Sequence, residues 1–303
     1  MADPTTTNDA PWTVGRLLQW TQRYLGERGV DEPRLATEVL LSQSLGCAKI
    51  ELYTRFDSIP PPDQLMVFRE WVQAAAEHTP VAYLVGRKEF FSLEFAVTPV
   101  VLIPRPETEA LVVRALHLLE DGDLEHPRFL DVGTGSGCIA VTLLKHAPSA
   151  RAVATDISAE VLEVARRNAE AHGVTDRITF VRADRLGLSP EQVPEDGFDV
   201  IVSNPPYVTA DEMATLPQTV RAHEPTVALS GGNDGLSFYR TFAGVDRGIL
   251  RAGGSILVEI GYGRSERVLE IFARAGRFEH VGTWRDPGDP HDRVMEFRLT
   301  IDD

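Results

Sequence analysis

A chain of 303 residues, 43% hydrophobic and 25% charged, is long enough for two globular domains or one large one. The apolar stretches are too short to cross a bilayer. The segment before Trp12 lacks the basic and apolar parts of a secretory signal. The two cysteines form no Cys-x-x-Cys motif. We therefore expect a cytoplasmic protein with two reduced thiols that does not contact a membrane. Because the formal net charge is −15 and no basic stripe is present, we expect no direct contact with nucleic acid.

The region from Trp12 to about His78 shows the spacing of amphipathic helices. Three stripes carry this pattern: Leu17, Leu18, Tyr24 and Leu25; Leu35, Val39, Leu40, Ser44 and Leu45; and Leu65, Phe68, Trp71, Val72 and Ala75. We therefore predict a helical N-terminal domain over residues 1–80, with a disordered tail at residues 1–11 and no catalytic constellation.

The pattern changes after Pro80, where the segment from Glu89 to Val97 is rich in aromatic and apolar residues with partial alternation. Such a segment predicts a strand or a hairpin, and Pro106 can open the helix that follows it. We expect residues 81–104 to form a hairpin linker and residues 105–303 to form the second domain.

Strand-like and helical segments alternate in the second domain, which is typical of a doubly wound α/β fold with a mostly parallel sheet of seven strands. The predicted strands cover residues 129–132, 152–155, 178–181, 198–203, 255–260, 278–284 and 294–299, with helices at 138–146 and 161–172. Gly253 and Gly254 are expected to form a turn before the fifth strand.

The motif Asn204-Pro205-Pro206-Tyr207 directly follows the fourth predicted strand. The two prolines end that strand because they cannot donate ladder hydrogen bonds, and Asn204 is held extended because a proline follows it. An amide, two stiff carbonyls and an aromatic ring are thus presented at the carboxyl end of a central strand, where open α/β sheets bind ligands. The alternative interpretation is a simple Pro-Pro turn that begins with an asparagine.

A glycine loop, Gly133-Thr134-Gly135-Ser136-Gly137, lies between the first predicted strand and its helix. Glycines there let backbone N–H groups approach a ligand, although the spacing differs from the G-x-G-x-x-G of dinucleotide sites. Asp156 ends the second strand, where it can accept hydrogen bonds from ribose hydroxyls, and Asp184 follows the third, where it can accept from an adenine amino group. Strand-end aspartates also cap helices, but the ordered set predicts a nucleoside-bearing cofactor.

These motifs together resemble the class I S-adenosylmethionine-dependent methyltransferases that act on planar amide or amino nitrogens. Flanking stretches are similar to the release-factor glutamine methyltransferases (the HemK/PrmC family), which modify the glutamine of the Gly-Gly-Gln loop in peptide chain release factors. These stretches are Ile103 to Glu109, Glu224-Pro225 through Gly231-Gly232, Asp234-Gly235-Leu236, and Arg285-Asp286 through Val294. The resemblance implies a Rossmann-like methyltransferase domain, acting here as a monomer on release factors.

The resemblance also implies roles for individual residues. Gly133 to Gly137 would lie under the methionine moiety and ribose of S-adenosyl-L-methionine, which is converted to S-adenosyl-L-homocysteine. Asp156 would bind the ribose hydroxyls, Asp184 and Arg185 would border the adenine, and Asn204 would contact the cofactor as well as the substrate. Relatives often carry an aromatic or apolar residue at the position of Arg185, and an arginine there can stack its guanidinium on adenine.

The chemistry follows from the weak nucleophilicity of an amide nitrogen, whose lone pair is delocalised into the carbonyl. The Asn204 side-chain oxygen and the Pro205 backbone carbonyl are placed to accept one N–H each, which would orient the substrate nitrogen and favour its developing positive charge. Pro206 and Tyr207 would complete the substrate site, with the Tyr207 ring packed on the flat amide. The eight histidines form no cluster with metal-ligand spacing, so we predict no metal site.

Several alternatives share part of this pattern. A sister enzyme that methylates a glutamine of a ribosomal protein is the nearest, and residues 104–109 favour the release-factor branch over it. Adenine-specific DNA methyltransferases also use Asn-Pro-Pro-Tyr, but they must flip a base and hold phosphates, and no basic module for this is present. A nucleotide-binding dehydrogenase does not fit the glycine spacing, and a non-catalytic binding module leaves Asn204 unexplained.

Overall fold

The computed structural model describes residues 11–120, 124–285 and 290–300. Residues 1–10 of the predicted tail, and Asp286 of one resemblance motif, lie outside the described residues. The chain divides into two compact units, one up to Gly86 and one from Arg87 onward.

The first unit is helical, and its described helices are α1 (Val14–Glu27), α2 (Pro33–Ser44), α3 (Lys49–Thr54), α4 (Pro62–Ala76) and α5 (Val81–Val85). Prolines occupy the first turns of α2 and α4, where the missing N–H costs no helical hydrogen bond. Leu25, Leu40 and Phe68, one from each predicted stripe, are at most 2% exposed and form the core. Helix α5 lies in the stretch that was predicted as a linker.

The second unit begins with an antiparallel hairpin of β1 (Arg87–Phe90) and β2 (Leu93–Ala96). Phe91 and Ser92 form its turn with φ angles of 50° and 60°, the left-handed conformation that a two-residue turn of this kind requires. Further on, Pro106 opens a single 3-10 turn (Pro106–Thr108), which continues as α6 (Glu109–Glu120).

A sheet of seven strands forms the centre of the second unit. Its strands are β3 (Arg128–Val132), β4 (Arg151–Asp156), β5 (Ile178–Arg182), β6 (Phe198–Ser203), β7 (Leu250–Glu259), β8 (Phe278–Arg285) and β9 (Asp292–Leu299). The order is β5-β4-β3-β6-β7-β9-β8, with β9 antiparallel to both its neighbours and the other pairs parallel. The predicted doubly wound, mostly parallel sheet is confirmed. Strand order reverses beside β3, so the crevice for a ligand opens between β3 and β6.

Strand β7 differs from its prediction, because it begins at Leu250 and passes through Gly253 and Gly254, which we had expected to form a turn. The pairing of β7 with β6 shifts register between Phe198 and Val200. Gly253 has a φ of 75°, and a glycine in this conformation lets a strand bulge without ending.

Helices cover both faces of the sheet, and the remaining described helices are α7 (Cys138–His146), α8 (Ala159–Ala171), α9 (Ala210–Met213), α10 (Gln218–His223), α11 (Thr226–Leu229), α12 (Ser237–Ala243) and α13 (Ser265–Ala275). One apolar core contains Leu111, Phe129 and Leu143, and another contains Ile201, Tyr239 and Phe272. Among the described residues, no helix combines the length and the apolar character that a bilayer crossing needs.

Candidate active site

A cavity of about 360 Å³ opens at the carboxyl ends of the central strands, within the size range of small-molecule sites. The predicted site residues that line it are Gly133, Gly135, Asp156, Asp184, Arg185, Asn204 and Pro206. The other predicted residues do not line the cavity and are buried or half-buried: Thr134, Ser136, Gly137, Pro205 and Tyr207. The cavity therefore brings together residues from the carboxyl ends of four strands, β3, β4, β5 and β6.

The glycine loop is held open toward the cavity by its backbone conformation. Gly133 and Gly135 have φ angles of 72° and 56°, and a Cβ on either would meet no atom within 4 Å. The backbone N–H groups of Gly133 and Thr134 both donate to the carbonyl of Thr155, at 2.9 and 2.8 Å, which fixes the loop against β4. The space above the two glycines is thus available to a ligand.

Asp131, in strand β3, holds the same loop through a buried hydrogen bond. Its side chain is fully buried, and the Thr134 hydroxyl donates to its Oδ2 at 2.7 Å. Burial raises the pKa of Asp131 to about 7, an effect that the hydrogen bond from Thr134 opposes. Asp131 therefore stabilises the loop rather than facing the cavity.

Asp156 presents a half-buried carboxylate at the end of β4. Its oxygens accept from the backbone N–H of Gly135 at 3.3 Å and from that of Ser158 at 3.1 Å. Burial raises its pKa, against these hydrogen bonds. Since a carboxylate offers about four acceptor positions, Asp156 retains capacity for two ligand hydroxyls.

Arg185, just after β5, has its side chain held in place by contacts with α12. Its backbone is left-handed, with a φ of 54°, and its guanidinium lies 4.6 Å from the ring centroid of Phe238. Nη1 donates to the Thr241 hydroxyl at 2.9 Å, so that α12 holds the side chain in place. Phe238 also lines the cavity, but it was not among the predicted site residues, because α12 was not predicted. An aromatic ring and a guanidinium plane thus border the same space, whereas Asp184 is largely exposed.

Asn204 is held by a chain of hydrogen bonds that leads away from the cavity. Its Nδ2 donates to Thr108 Oγ1 at 3.0 Å, and that hydroxyl donates to Glu259 Oε2 at 2.6 Å. The Tyr207 hydroxyl lies 3.5 Å from Glu259 Oε1. One buried carboxylate therefore supports both ends of the Asn-Pro-Pro-Tyr motif.

Family models match both units of the chain: the PrmC N-terminal domain matches residues 16–86, and the methyltransferase small domain matches residues 110–225. A release factor glutamine methyltransferase of Rhodopirellula baltica is 43% identical over 84% of this chain and 86% of its own length. One of Geobacter sulfurreducens is 41% identical over 95% of this chain and 97% of its own length.

The chain belongs to the release factor glutamine methyltransferase family. The family and the methyltransferase class predicted from the sequence are thereby confirmed. Among solved structures, the hMettl16 catalytic domain matches 77% of this chain and 83% of its own with a TM-score of 0.50 and 18% identity, a likeness in fold alone.

Two residues of this family member, Thr108 and Glu259, support Asn204 but were given no role from the sequence. Glu259 did leave a signal, because it is a charged residue inside the apolar run Ser255 to Ile260 and is only 2% exposed. Buried carboxylates are rare unless hydrogen-bonded or paired. Thr108 left no such signal, because threonine is common at the start of a helix.

The buried setting of Glu259 predicts a pH-dependent effect on stability. Burial raises its pKa from 4.5 to about 7, against the hydrogen bond from Thr108 and the charge of Arg293. Between these two values the folded state binds more protons than the unfolded state, so Glu259 lowers the free energy of unfolding progressively as pH rises from about 4.5 to about 7.

Glu259→Gln removes this titration. Between pH 5 and pH 8 the wild type should therefore lose stability relative to the variant. The free energy of unfolding of the variant minus that of the wild type should increase over this range, by a few kcal/mol at most. Urea denaturation of both proteins at the two pH values measures the difference. Asp131 is present in both proteins, so its own titration cancels. A difference that is constant with pH would contradict the assignment.

Proposed function

We propose that this protein transfers a methyl group from S-adenosyl-L-methionine to the side-chain amide nitrogen of the glutamine in the Gly-Gly-Gln loop of peptide chain release factors. The observation that carries the proposal is Asn204, which lines the cavity while its amino group is engaged by Thr108. The names of the relatives from Rhodopirellula baltica and Geobacter sulfurreducens support the same reaction.

The lining of the cavity fits a nucleoside cofactor that carries a methionine moiety. Open space lies above Gly133 and Gly135, Asp156 has acceptor capacity for two hydroxyls, and Phe238 with Arg185 offers flat surfaces to a base. When bound, S-adenosyl-L-methionine supplies an electrophilic methyl group, and S-adenosyl-L-homocysteine is the product. We propose these residues, with Thr134, Ser136, Gly137 and Asp184 beside them, as the cofactor site.

The substrate glutamine presents a planar NH2 group with two donors and no acceptor on its nitrogen. We propose that Asn204 Oδ1 and the Pro205 backbone carbonyl accept these two N–H groups. Both acceptors belong to a rigid segment, since Asn204 precedes a proline and Pro205 precedes another. Their partial negative charge favours the positive charge that develops on the nitrogen during transfer, and they restrict it to one orientation.

No strong base is needed to complete the reaction, because an amide nitrogen becomes highly acidic once it carries the new methyl group and loses its proton to water. Tyr207 fits this account as a packing residue, since burial and the nearby Glu259 raise its pKa and keep its phenol neutral. We propose that Tyr207 and Pro206 flank the flat amide and exclude water around it.

The net charge of −15 supports two further proposals, that the protein acts without direct contact to nucleic acid and that it recognises a protein partner. We propose that it acts as a monomer in the cytoplasm, where release factors function. None of the described residues from 11 to 86 lines the cavity, so we propose that the unit from Arg87 onward carries the chemistry.

Methyl transfer from radiolabelled S-adenosyl-L-methionine to a purified release factor tests the proposal. We expect one methyl group per release factor with the native loop and none when the loop glutamine is replaced by alanine, because only the glutamine amide offers the required NH2 group. Purified ribosomal proteins serve as the second acceptor. Labelling that persists in the alanine variant, or that appears only in the ribosomal proteins, would refute the release factor as substrate.

A further inference from the structure

The hydrogen-bonded chain behind Asn204 joins three segments that are distant in sequence. Thr108 belongs to the 3-10 turn before α6, Asn204 directly follows β6, and Glu259 is the last residue of β7. Strands β6 and β7 are parallel neighbours with Ser203 opposite Val258, so the next residues along, Asn204 and Glu259, lie side by side. Thr108 bridges the two.

An asparagine amide has two ends of nearly equal size but opposite hydrogen-bonding character. Its oxygen accepts and its NH2 group donates. The proposed reaction needs an acceptor toward the substrate NH2 group, because a donor there would face another donor and repel it. Something must therefore fix which end of Asn204 faces the cavity.

The hydroxyl of Thr108 determines which end of the Asn204 amide binds to it, because the hydroxyl has only one hydrogen to donate. Thr108 and Glu259 are each 2% exposed, so water does not compete for them. Thr108 Oγ1 lies 2.6 Å from Glu259 Oε2 and donates its hydrogen to it. Above the pKa of about 7, where Glu259 is ionised, this direction is fixed, because an ionised carboxylate accepts and does not donate. Thr108 Oγ1 can then only accept a hydrogen bond from Asn204, and Asn204 Nδ2 donates to it at 3.0 Å.

We infer that Thr108 and Glu259 are positioning residues that set the orientation of the Asn204 amide, so that its carbonyl oxygen is the end presented to the substrate. This inference rests on the proposed function, in which Asn204 accepts from the glutamine amide. Thr108 and Glu259 do not line the cavity, so they act through Asn204 and not on the substrate directly.

Thr108→Val tests the inference, because valine keeps the shape of threonine and removes the hydroxyl. Without the hydroxyl, the Asn204 amide can turn either end to the substrate. We expect kcat for release factor methylation to fall by about 10-fold or more, while KM for the release factor and the dissociation constant of S-adenosyl-L-methionine change by less than about 2-fold. Thr108→Ser keeps the hydroxyl and should restore kcat to within about 3-fold of the wild type.

A double-mutant cycle separates positioning from structural support. If Thr108 acts through Asn204, then Thr108→Val should lower kcat in the wild type but cause no further loss in the Asn204→Ala background. A further loss of the same size in that background, or equal losses in Thr108→Val and Thr108→Ser, would overturn the inference. If Thr108→Val does not fold, Thr108→Cys replaces it, since a thiol is only a weak donor and acceptor.

The same data distinguish failure of this inference from failure of the proposed function. Loss of activity in Asn204→Ala with full activity in Thr108→Val overturns the positioning role alone. Full activity in Asn204→Ala removes the role of Asn204 on which both depend. Thermal denaturation of each variant confirms that the assay temperature lies below its midpoint.

Discussion

Asn204→Ala is expected to lower kcat for release factor methylation by about 10²–10³-fold, comparable to the loss of one preorganised hydrogen-bonding group from an active site. In the proposed mechanism the substitution removes the oxygen that accepts from the nitrogen where positive charge develops, so the loss should fall on the transition state more than on binding. Single-turnover methylation measures the chemical step, and calorimetric titration with S-adenosyl-L-methionine measures cofactor binding. We expect the cofactor affinity to change by less than about 3-fold, because the substitution leaves Asp156 and the glycine loop, which we propose to bind the cofactor, untouched.

Asn233→Ala provides a matched control for this substitution. It makes the same chemical change at an exposed residue of the loop that precedes α12, and we expect its kcat to stay within about 2-fold of the wild type, because it removes no contact to the reacting group. Asn204→Ala with kcat near that of Asn233→Ala would refute the role of Asn204. A large loss of cofactor affinity in Asn204→Ala would instead place its side chain against the cofactor.

The strand ends of the second unit could be predicted because their signals are local. Apolar runs that stop at Asp131-Val132, Asp156 and Asn204 indicated three strands of one mostly parallel sheet, and parallel strands bring their carboxyl ends to one edge of a sheet. The structure shows that these three strands are neighbours. The cavity at this edge contains Gly133, Asp156 and Asn204. The order of motifs along the chain was therefore sufficient to place these residues together.

The support behind these residues could not be predicted in the same way, because it depends on contacts between distant segments. Thr108 meets Glu259 across 151 positions of sequence, and Arg185 meets Thr241 across 56. The short helices α9 to α12 have too few residues for an amphipathic period to show. Helix α12 packs against α13, its Tyr239 and Phe242 belong to the core that contains Ile201, and Phe238 on the same helix lines the cavity.

Gly235→Ala is expected to lower the free energy of unfolding by about 2–4 kcal/mol, because it combines backbone strain with steric overlap. Gly235 has a φ of 71°, which L-residues with a Cβ rarely adopt. A Cβ at this position would lie 2.3 Å from the backbone oxygen of Tyr207 and 2.9 Å from Arg264 Nε. Since the nearest atom belongs to the backbone, a side-chain rotation cannot relieve the overlap, and either the α12 loop or the Asn-Pro-Pro-Tyr motif must move.

Gly173→Ala separates the two contributions. Gly173 has a similar φ of 66°, but a Cβ there would meet no atom within 4 Å, so we expect a cost of only about 1–2 kcal/mol from the left-handed conformation. Urea denaturation measures both variants, and the methylation assay should show a loss of kcat for Gly235→Ala alone, because only that variant places an atom against the backbone of Tyr207. Equal stability losses and unchanged kcat in both variants would mean that the loop before α12 yields freely, and that the backbone of Tyr207 does not depend on Gly235 for its position.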